Sequence, residues 1–310
     1  METIRALEMV DVSISDACKQ QCSFCYRASE PDAPLADIND LKALVEGLKE
    51  TDTMELVIGG GEPTEHPDFY HFLEETDFGD LCVSFTTRDL DFIRTLAVSN
   101  EVEESEAAEI IRNKVKAIGL SVRTAEEIKR AERNLATFMR DETTGSYRNN
   151  PQMVFHLIPA LGWEEVFDAI TEGKHSLLLL GMKFTGRNDR ADSKAYADIL
   201  RAMASNERLT KHINHELFRR ERIHLGVDTK FIVDLQSIDP DWLKRFSRKS
   251  WSDMEGVRSA FIDLVDGTMA PCSFGGKVMG LDGYDGESLK QAFDLIGIYK
   301  PESVQEPSGQ

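Results

Sequence analysis

Three thiols stand together near the N-terminus, in Cys18-Lys19-Gln20-Gln21-Cys22-Ser23-Phe24-Cys25, spaced by three residues and then by two. Thiolates are natural ligands of iron-sulfur clusters, and three at this spacing close one short loop around a cubic cluster. No fourth cysteine follows nearby, so one iron of the cube lacks a protein ligand and is open to a reactant. The competing reading is a zinc knuckle, which wants a fourth Cys or His close by, and the nearest histidine is His66. A second stretch, Ile58-Gly59-Gly60-Gly61-Glu62-Pro63, ends an apolar run. Taken alone, such a glycine triplet serves a turn and a lone glutamate is solvated.

The surrounding elements place both stretches at the ends of strands. Met9 to Ser15 largely alternates apolar and polar residues, the period of a strand, and delivers the chain to Cys18. Asp37 to Asp40 supplies helix caps ahead of Leu41, Leu44, Val45 and Leu48. Met54 to Ile58 is the second strand and ends at the glycines; Leu81 to Thr86 is the third, with Thr87 and Arg88 at its exit. Ala107, Ile111, Val115 and Ile118 mark an acidic amphipathic helix running towards a fourth strand, Ala117 to Val122, whose exit carries Ser121 and Arg123. A helix from Thr124 (Ile128, Ala131, Leu135, Phe138), strand five (Met153 to Ile158), a helix striped by Trp163, Val166, Phe167 and Ile170, and strand six (Leu177 to Leu180) complete the alternation. The sixth strand leaves through Gly181 to Arg187, which includes Lys183.

Six strands alternating with helices imply an α/β fold with a parallel sheet, and a partial (β/α)6 TIM-like barrel is its natural closure. Such a barrel keeps its chemistry at the C-terminal ends of its strands, where these polar residues fall. Beyond it come a helix with Tyr196, Ile199, Leu200 and Met203, a polar connection from Asn206 to Arg222, and a strand within His224 to Leu235. Asp239-Pro240-Asp241 punctuates the chain there. The expected division is therefore a core of residues 1–235, a small C-terminal α+β extension over 236–300, and a frayed tail over 301–310. In the extension, Phe261 to Val265 turns at Asp266-Gly267 into Met269-Ala270-Pro271-Cys272, a hairpin signal.

The 310 residues hold 36 Lys and Arg against 55 Asp and Glu, a formal charge of -19. This disfavours a nucleic-acid partner, because binding would raise rather than relieve charge density. The basic tracts Arg219 to Arg222 and Lys244 to Lys249 read as solvated helix faces. Five cysteines, three of them in one motif, do not describe a disulfide framework and fit a reducing, cytoplasmic setting. No stretch approaches the ~18 apolar residues of a membrane span, and the opening Met1 to Arg5 has no signal-peptide character.

The cysteine motif with Phe24 before its last thiol, followed by Gly60-Gly61-Glu62 after the second strand, resembles the radical S-adenosylmethionine (radical SAM) superfamily. The resemblance covers residues 8 to about 190. It implies a [4Fe-4S] cluster on Cys18, Cys22 and Cys25, with the open iron chelated by the methionine part of S-adenosylmethionine. It assigns the amino group of that cofactor to Gly60, Gly61 and Glu62, the adenine to Phe24, and ribose and carboxylate contacts to Ser121 and Arg123. Lys183 and Arg187 are substrate or carboxylate candidates beside the alternative of surface ion pairs. The implied reaction is reductive cleavage to methionine and a 5'-deoxyadenosyl radical, which removes hydrogen from a substrate. The implied partners are a flavodoxin- or ferredoxin-type electron donor and a peptide or small-molecule substrate.

The stretch Phe261 to Cys272 resembles part of the cysteine-rich SPASM or twitch extension of peptide-modifying members. Here the upstream cysteine expected around Ser252 to Gly256 is missing and none follows Cys272, so the extension is expected to cap the barrel without a second cluster. Cys272 is either a small buried residue of the hairpin or a hydrogen-atom donor at the barrel mouth. Cys82 and His156, within strands, read as core residues. The alternative from another class is an iron-sulfur or metal-bearing protein that binds a partner and performs no radical chemistry.

Overall fold

The computed structural model describes residues 7–138, 151–160, 162–173, 175–188, 192–214, 225–242, 259–273 and 278–297. Its order begins β1 (Met9–Ser13), α1 (Ile38–Lys49), β2 (Glu55–Gly59), α2 (Phe69–Glu75), β3 (Cys82–Thr87), α3 (Phe92–Ser99), α4 (Glu104–Lys114) and β4 (Ala117–Val122). It continues with α5 (Ala125–Phe138), β5 (Gln152–Leu157), α6 (Trp163–Glu172), β6 (Ser176–Leu179), α7 (Ser193–Ser205) and α8 (Glu207–Asn214). Then come β7 (Leu225–Val227), α9 (Thr229–Ile238), β8 (Ser259–Asp263), β9 (Thr268–Ala270), β10 (Met279–Gly280) and α10 (Gly286–Gly297). All strands join one sheet in the order β10-β9-β8-β1-β2-β3-β4-β5-β6-β7. From β8 to β7 the pairs are parallel, as the alternation of strands and helices requires, and the sheet is that of a partial TIM-like barrel.

Period-two alternation divides each strand between two faces. Val10, Val12, Leu56, Ile58, Val83, Phe85 and Ile118 are buried in one core with Leu41, Leu44, Val45 and Leu48 of α1, Phe69 and Phe72 of α2, and Ile111 of α4. Leu120, Val122, Phe155, Leu157, Leu177 and Leu179 continue that layer into a second core under α5, α6, α7 and α9. The opposite face is half-buried and carries Asp11, Val57, Gly59, Thr86, Ser121, Leu178 and Phe261.

The region after residue 236 adds strands to this same sheet. β8 pairs in parallel with β1, and the Asp266-Gly267 turn, with Gly267 at φ +62, folds β9 back antiparallel as its sequence indicates. Leu289, Phe293 and Ile296 of α10 are buried in the first core.

Several elements differ from expectation. The stripe through Val115 and Ile118 is not helical: α4 stops at Lys114, Val115 is extended, and Ile118 belongs to β4. The strand within His224 to Leu235 is only the three residues of β7. Asp228 then caps α9 by accepting from the Phe231 N–H, and Phe231, Ile232 and Leu235 form its buried stripe. Part of the connection from Asn206 is α8. Cys82, the first residue of β3, is exposed rather than core. The tracts Arg219 to Arg222 and Lys244 to Lys249, the stretch Ser252 to Gly256 and the tail 301–310 lie outside the described residues. Among the described residues no helix is long and apolar enough to cross a membrane.

Candidate functional site

The cysteine loop leaves β1 and is closed at its base by bridges Ser15 to Leu35 and Ala17 to Glu30. The Cys18 N–H donates to the Glu30 carbonyl at 3.0 Å, and the Cys25 N–H to the Cys22 carbonyl at 3.1 Å. Two residues other than glycine take left-handed backbone here, Gln21 at φ +44 and Ala28 at φ +55, which shape the loop tightly at an energetic cost. Cys18 is buried, Cys22 and Cys25 half-buried. Burial pushes the Cys18 thiol up to about 12, with the charges of Glu62, Glu65 and Cys22 adding to that push against a bond from the Gln20 backbone. A thiol in this position stays protonated until a cation reaches it, and a coordinated thiol then gives up its proton. Among the described residues no three His, Cys, Asp or Glu side chains converge as the ligands of a single ion would. Each thiolate of a cubic cluster binds a different iron, so the three thiols of such a cluster need not converge on one point.

The exit of β2 is laid directly against this loop. The Gly61 N–H donates to the Ser15 carbonyl and the Glu62 N–H to the Ala17 carbonyl at 2.9 Å. Gly60 sits at φ +126, and a Cβ on Gly61 would lie 2.0 Å from the Ala17 oxygen. Only glycine fits, which is why the two stretches distinguished by sequence become one surface. Among the described residues no hydrogen bond reaches the carbonyl of Gly60 or Gly61.

Glu62 is fully buried beneath that turn. Its Oε1 accepts from the Thr64 N–H and hydroxyl, and its Oε2 from the Thr87 hydroxyl at 2.8 Å and the Arg88 N–H at 3.2 Å. Burial pushes the carboxyl up to about 7 in spite of these bonds, with the charge of Asp89 adding to the rise. The four acceptor positions of a carboxylate are thus engaged by the chain itself, tying the exits of β2 and β3 together.

Arg88 reaches on to β4, donating from Nη1 to the Ser121 carbonyl at 3.0 Å and from Nη2 to Glu127. Against the upward push of burial, the Arg123 N–H and the Arg88 side chain hold the Glu127 carboxyl below its usual range. The Arg123 guanidinium lies 5.0 Å from the Phe24 ring centroid, so the aromatic of the cysteine loop and the exit of β4 are in contact. Phe24 and Arg123 are therefore in contact, while the Ser121 carbonyl is held by Arg88.

Across the sheet, Lys183 lies 4.1 Å from the Tyr26 ring centroid and donates to Ser273 at 2.7 Å, the residue after half-buried Cys272. Arg187 is not set out for a ligand: its guanidinium bonds the cysteine loop. His156 lies in the interior of the sheet, on β5. It is buried and forms no hydrogen bond with the described residues, and burial lowers it to about 4, so it is neutral. Its ring occupies the space left by Gly119, where a Cβ would stand 2.4 Å from it.

One part of the site has no signal in the sequence. Arg27 pairs with Asp16 at the end of β1 and, at 2.7 Å, with Asp263 at the end of β8. It also lies 5.8 Å from the Phe261 ring centroid. The C-terminal strands thereby hold the cysteine loop from the side opposite β6.

Comparisons with known proteins bear on the family and the fold. Residues 12–148 match the Radical SAM superfamily model. No curated protein sequence matches the chain. Among solved structures, Streptococcus suis SuiB bound to S-adenosylmethionine is 15% identical with a TM-score of 0.59, covering 94% of this chain and 65% of SuiB. SuiB bound to its precursor peptide SuiA is 15% identical with a TM-score of 0.62, covering 97% and 69%. Native anSMEcpe with bound AdoMet and Cp18Cys peptide is 15% identical with a TM-score of 0.54, covering 94% and 84%. The chain thus spans about two thirds of the length of SuiB, and the likeness is one of fold.

Proposed function

We propose that this chain, an enzyme of the radical SAM class, holds a [4Fe-4S] cluster on Cys18, Cys22 and Cys25 and S-adenosylmethionine beside it to modify a peptide substrate. The observation that carries the reading is the junction of the two motifs, with the turn Gly60-Gly61 bonded to the base of a three-thiol loop at adjacent strand exits. The thiol set fits a cluster, and the carbonyls of Gly60 and Gly61, which accept no hydrogen bond from the described residues, fit an ammonium group. When bound, the pair supplies a 5'-deoxyadenosyl radical by one-electron reduction of the sulfonium, and that radical takes a hydrogen atom from the substrate.

In this reading Glu62 braces the turn and adds negative charge beneath the ammonium position. Phe24, stacked on Arg123, bounds the adenine, while Ser121 and the Arg123 guanidinium serve the ribose and carboxylate. Lys183, bonded to the residue after Cys272, is the candidate substrate contact, and Cys272 is the candidate donor of a hydrogen atom to the substrate carbon. A peptide substrate is supported by the shared fold of SuiB, solved with its precursor peptide, and by the C-terminal hairpin Phe261 to Cys272. The electron comes from a flavodoxin- or ferredoxin-type donor, in a cytoplasmic setting. Residues 1–235 form the catalytic core, with 236–300 an extension that completes its sheet and carries no second cluster.

The test is anaerobic reconstitution followed by dithionite and S-adenosylmethionine, with 5'-deoxyadenosine measured by mass spectrometry. The expected result is product with wild type and none with Cys22→Ala. A wild-type protein with a full cluster whose EPR spectrum does not respond to S-adenosylmethionine, and which forms no 5'-deoxyadenosine, would overturn the proposal.

A further inference from the structure

The segment leaving β6 does more than extend towards the barrel mouth; it grips the cysteine loop by its backbone. Arg187, on the 3-10 turn Gly186–Asn188, donates from Nε to the Cys22 carbonyl at 3.1 Å and from Nη2 to the Ser29 carbonyl at 2.7 Å. Its Nη1 pairs with Glu30 at 2.7 Å, and its backbone N–H donates to the Cys25 carbonyl at 2.9 Å. Two residues earlier the Thr185 hydroxyl donates to the Tyr26 carbonyl at 3.1 Å. Between them Gly186 sits at φ +61, where a Cβ would run into that same Tyr26 carbonyl. One short segment thus holds the carbonyls of Cys22, Cys25, Tyr26 and Ser29.

The segment is itself anchored at its root. The Gly181 N–H donates to Asp228 at 3.1 Å and the Met182 N–H to the Tyr196 hydroxyl at 3.0 Å, which in turn donates to Asp234. Arg187 therefore transmits the position of β6, α7 and α9 to the loop that follows β1. The fork matters here, because a planar guanidinium carries its donors on three separate nitrogens in fixed directions, whereas an ammonium presents all of its donors from one point on a flexible stem.

We infer that Arg187 is a positioning residue for the cluster, fixing the backbone between Cys22 and Glu30 so that the sulfur ligands are placed before metal arrives and retained afterwards. A second consequence is electrostatic. Hydrogen bonds and net charge around a cluster set its reduction potential, and a cation bonded to the Cys22 carbonyl favours the reduced, more negative state. Arg187 thereby raises the potential as well as slowing cluster loss.

The inference rests on the cluster reading above. The experiment compares wild type, Arg187→Ala and Arg187→Lys after anaerobic reconstitution, recording iron content, the rate of iron loss to an excess of EDTA, and the midpoint potential by EPR-monitored titration. Arg187→Ala is expected to lose iron about tenfold faster and to titrate at a lower potential, because it removes charge-assisted bonds from the loop. Arg187→Lys, which keeps the charge and tests the fork without the risk of an unfolded chain, is expected to hold the wild-type potential while losing iron faster than wild type. Wild-type rates and potential in both variants would overturn the positioning role. A wild-type chain that takes up no iron would instead overturn the cluster reading, so the two failures are distinguishable.

Discussion

The contact between Gly61 and the cysteine loop can be broken with a single methyl group. In Gly61→Ala the new Cβ would stand 2.0 Å from the Ala17 oxygen and 2.6 Å from its carbonyl carbon, whereas real Cβ contacts stay beyond 3.0 Å. The neighbour is backbone and cannot swing away, so the β2 exit and the loop must separate by about 1 Å, the difference between those oxygen distances. The Glu62 N–H to Ala17 carbonyl bond, 2.9 Å long, then stretches past hydrogen-bonding range, and the adjacent Gly61 to Ser15 bond is strained with it. Two backbone bonds at about 1 kcal/mol each, added to about 1–3 kcal/mol of overpacking, give a destabilisation of about 3–5 kcal/mol. At about 2 °C per kcal/mol for a chain of this size, thermal unfolding of the metal-free protein should fall by about 6–10 °C. Gly280→Ala is the comparison, because its Cβ meets nothing within 4 Å, and it should unfold as wild type does. If Gly61→Ala and Gly280→Ala unfold within 1 °C of one another, the two motifs are not in contact and the site as described is wrong.

Three further outcomes follow from buried groups of the sheet. Gly119→Ala should be destabilised by about 1–3 kcal/mol through its clash with the His156 ring, and His156→Ala in the same chain should relieve it; a urea-denaturation double-mutant cycle with no coupling would refute the contact. His156 is held at about 4 against an ordinary 6.5, so between those values the unfolded chain binds more protons than the folded one. Its stabilising share is full above pH 6.5 and lost as pH falls towards 4, by at most about 3 kcal/mol, and His156→Gln should flatten that part of the stability curve. Asp263→Asn should cost about 2 kcal/mol in thermal unfolding, less than a wholly broken buried pair, because Asp16 still holds Arg27; a change below 0.5 kcal/mol would contradict the clamp.

What could be read in the sequence and what could not differ in kind. The first six strands were legible because each is a short apolar or alternating run of its own, and the cysteine and glycine motifs because their information lies in spacing over a few residues. The run Phe231-Ile232-Val233 looks equally apt for strand or helix, and the Asp228 cap decides for α9. Cys82 lies in a strand, yet its place as the first residue leaves it exposed. Arg27 and Asp263 are separated by 236 positions and meet only because β8 pairs with β1, a pairing that no local pattern announces.

Arg187 shows the deeper reason. Its type and its place at a strand exit suggested a substrate or carboxylate contact, or else a surface ion pair, but the acceptors it binds are Glu30 and the carbonyls of Cys22 and Ser29. Every residue carries a carbonyl, so nothing in a sequence distinguishes the ones that will be held. Glu62 repeats the case, since two of its four donors are backbone or side-chain groups of the β3 exit, Thr87 and Arg88. Residues that perform chemistry are conspicuous through their own side chains, whereas those that position them often act on backbone, and their role becomes visible only when the fold brings distant segments into contact.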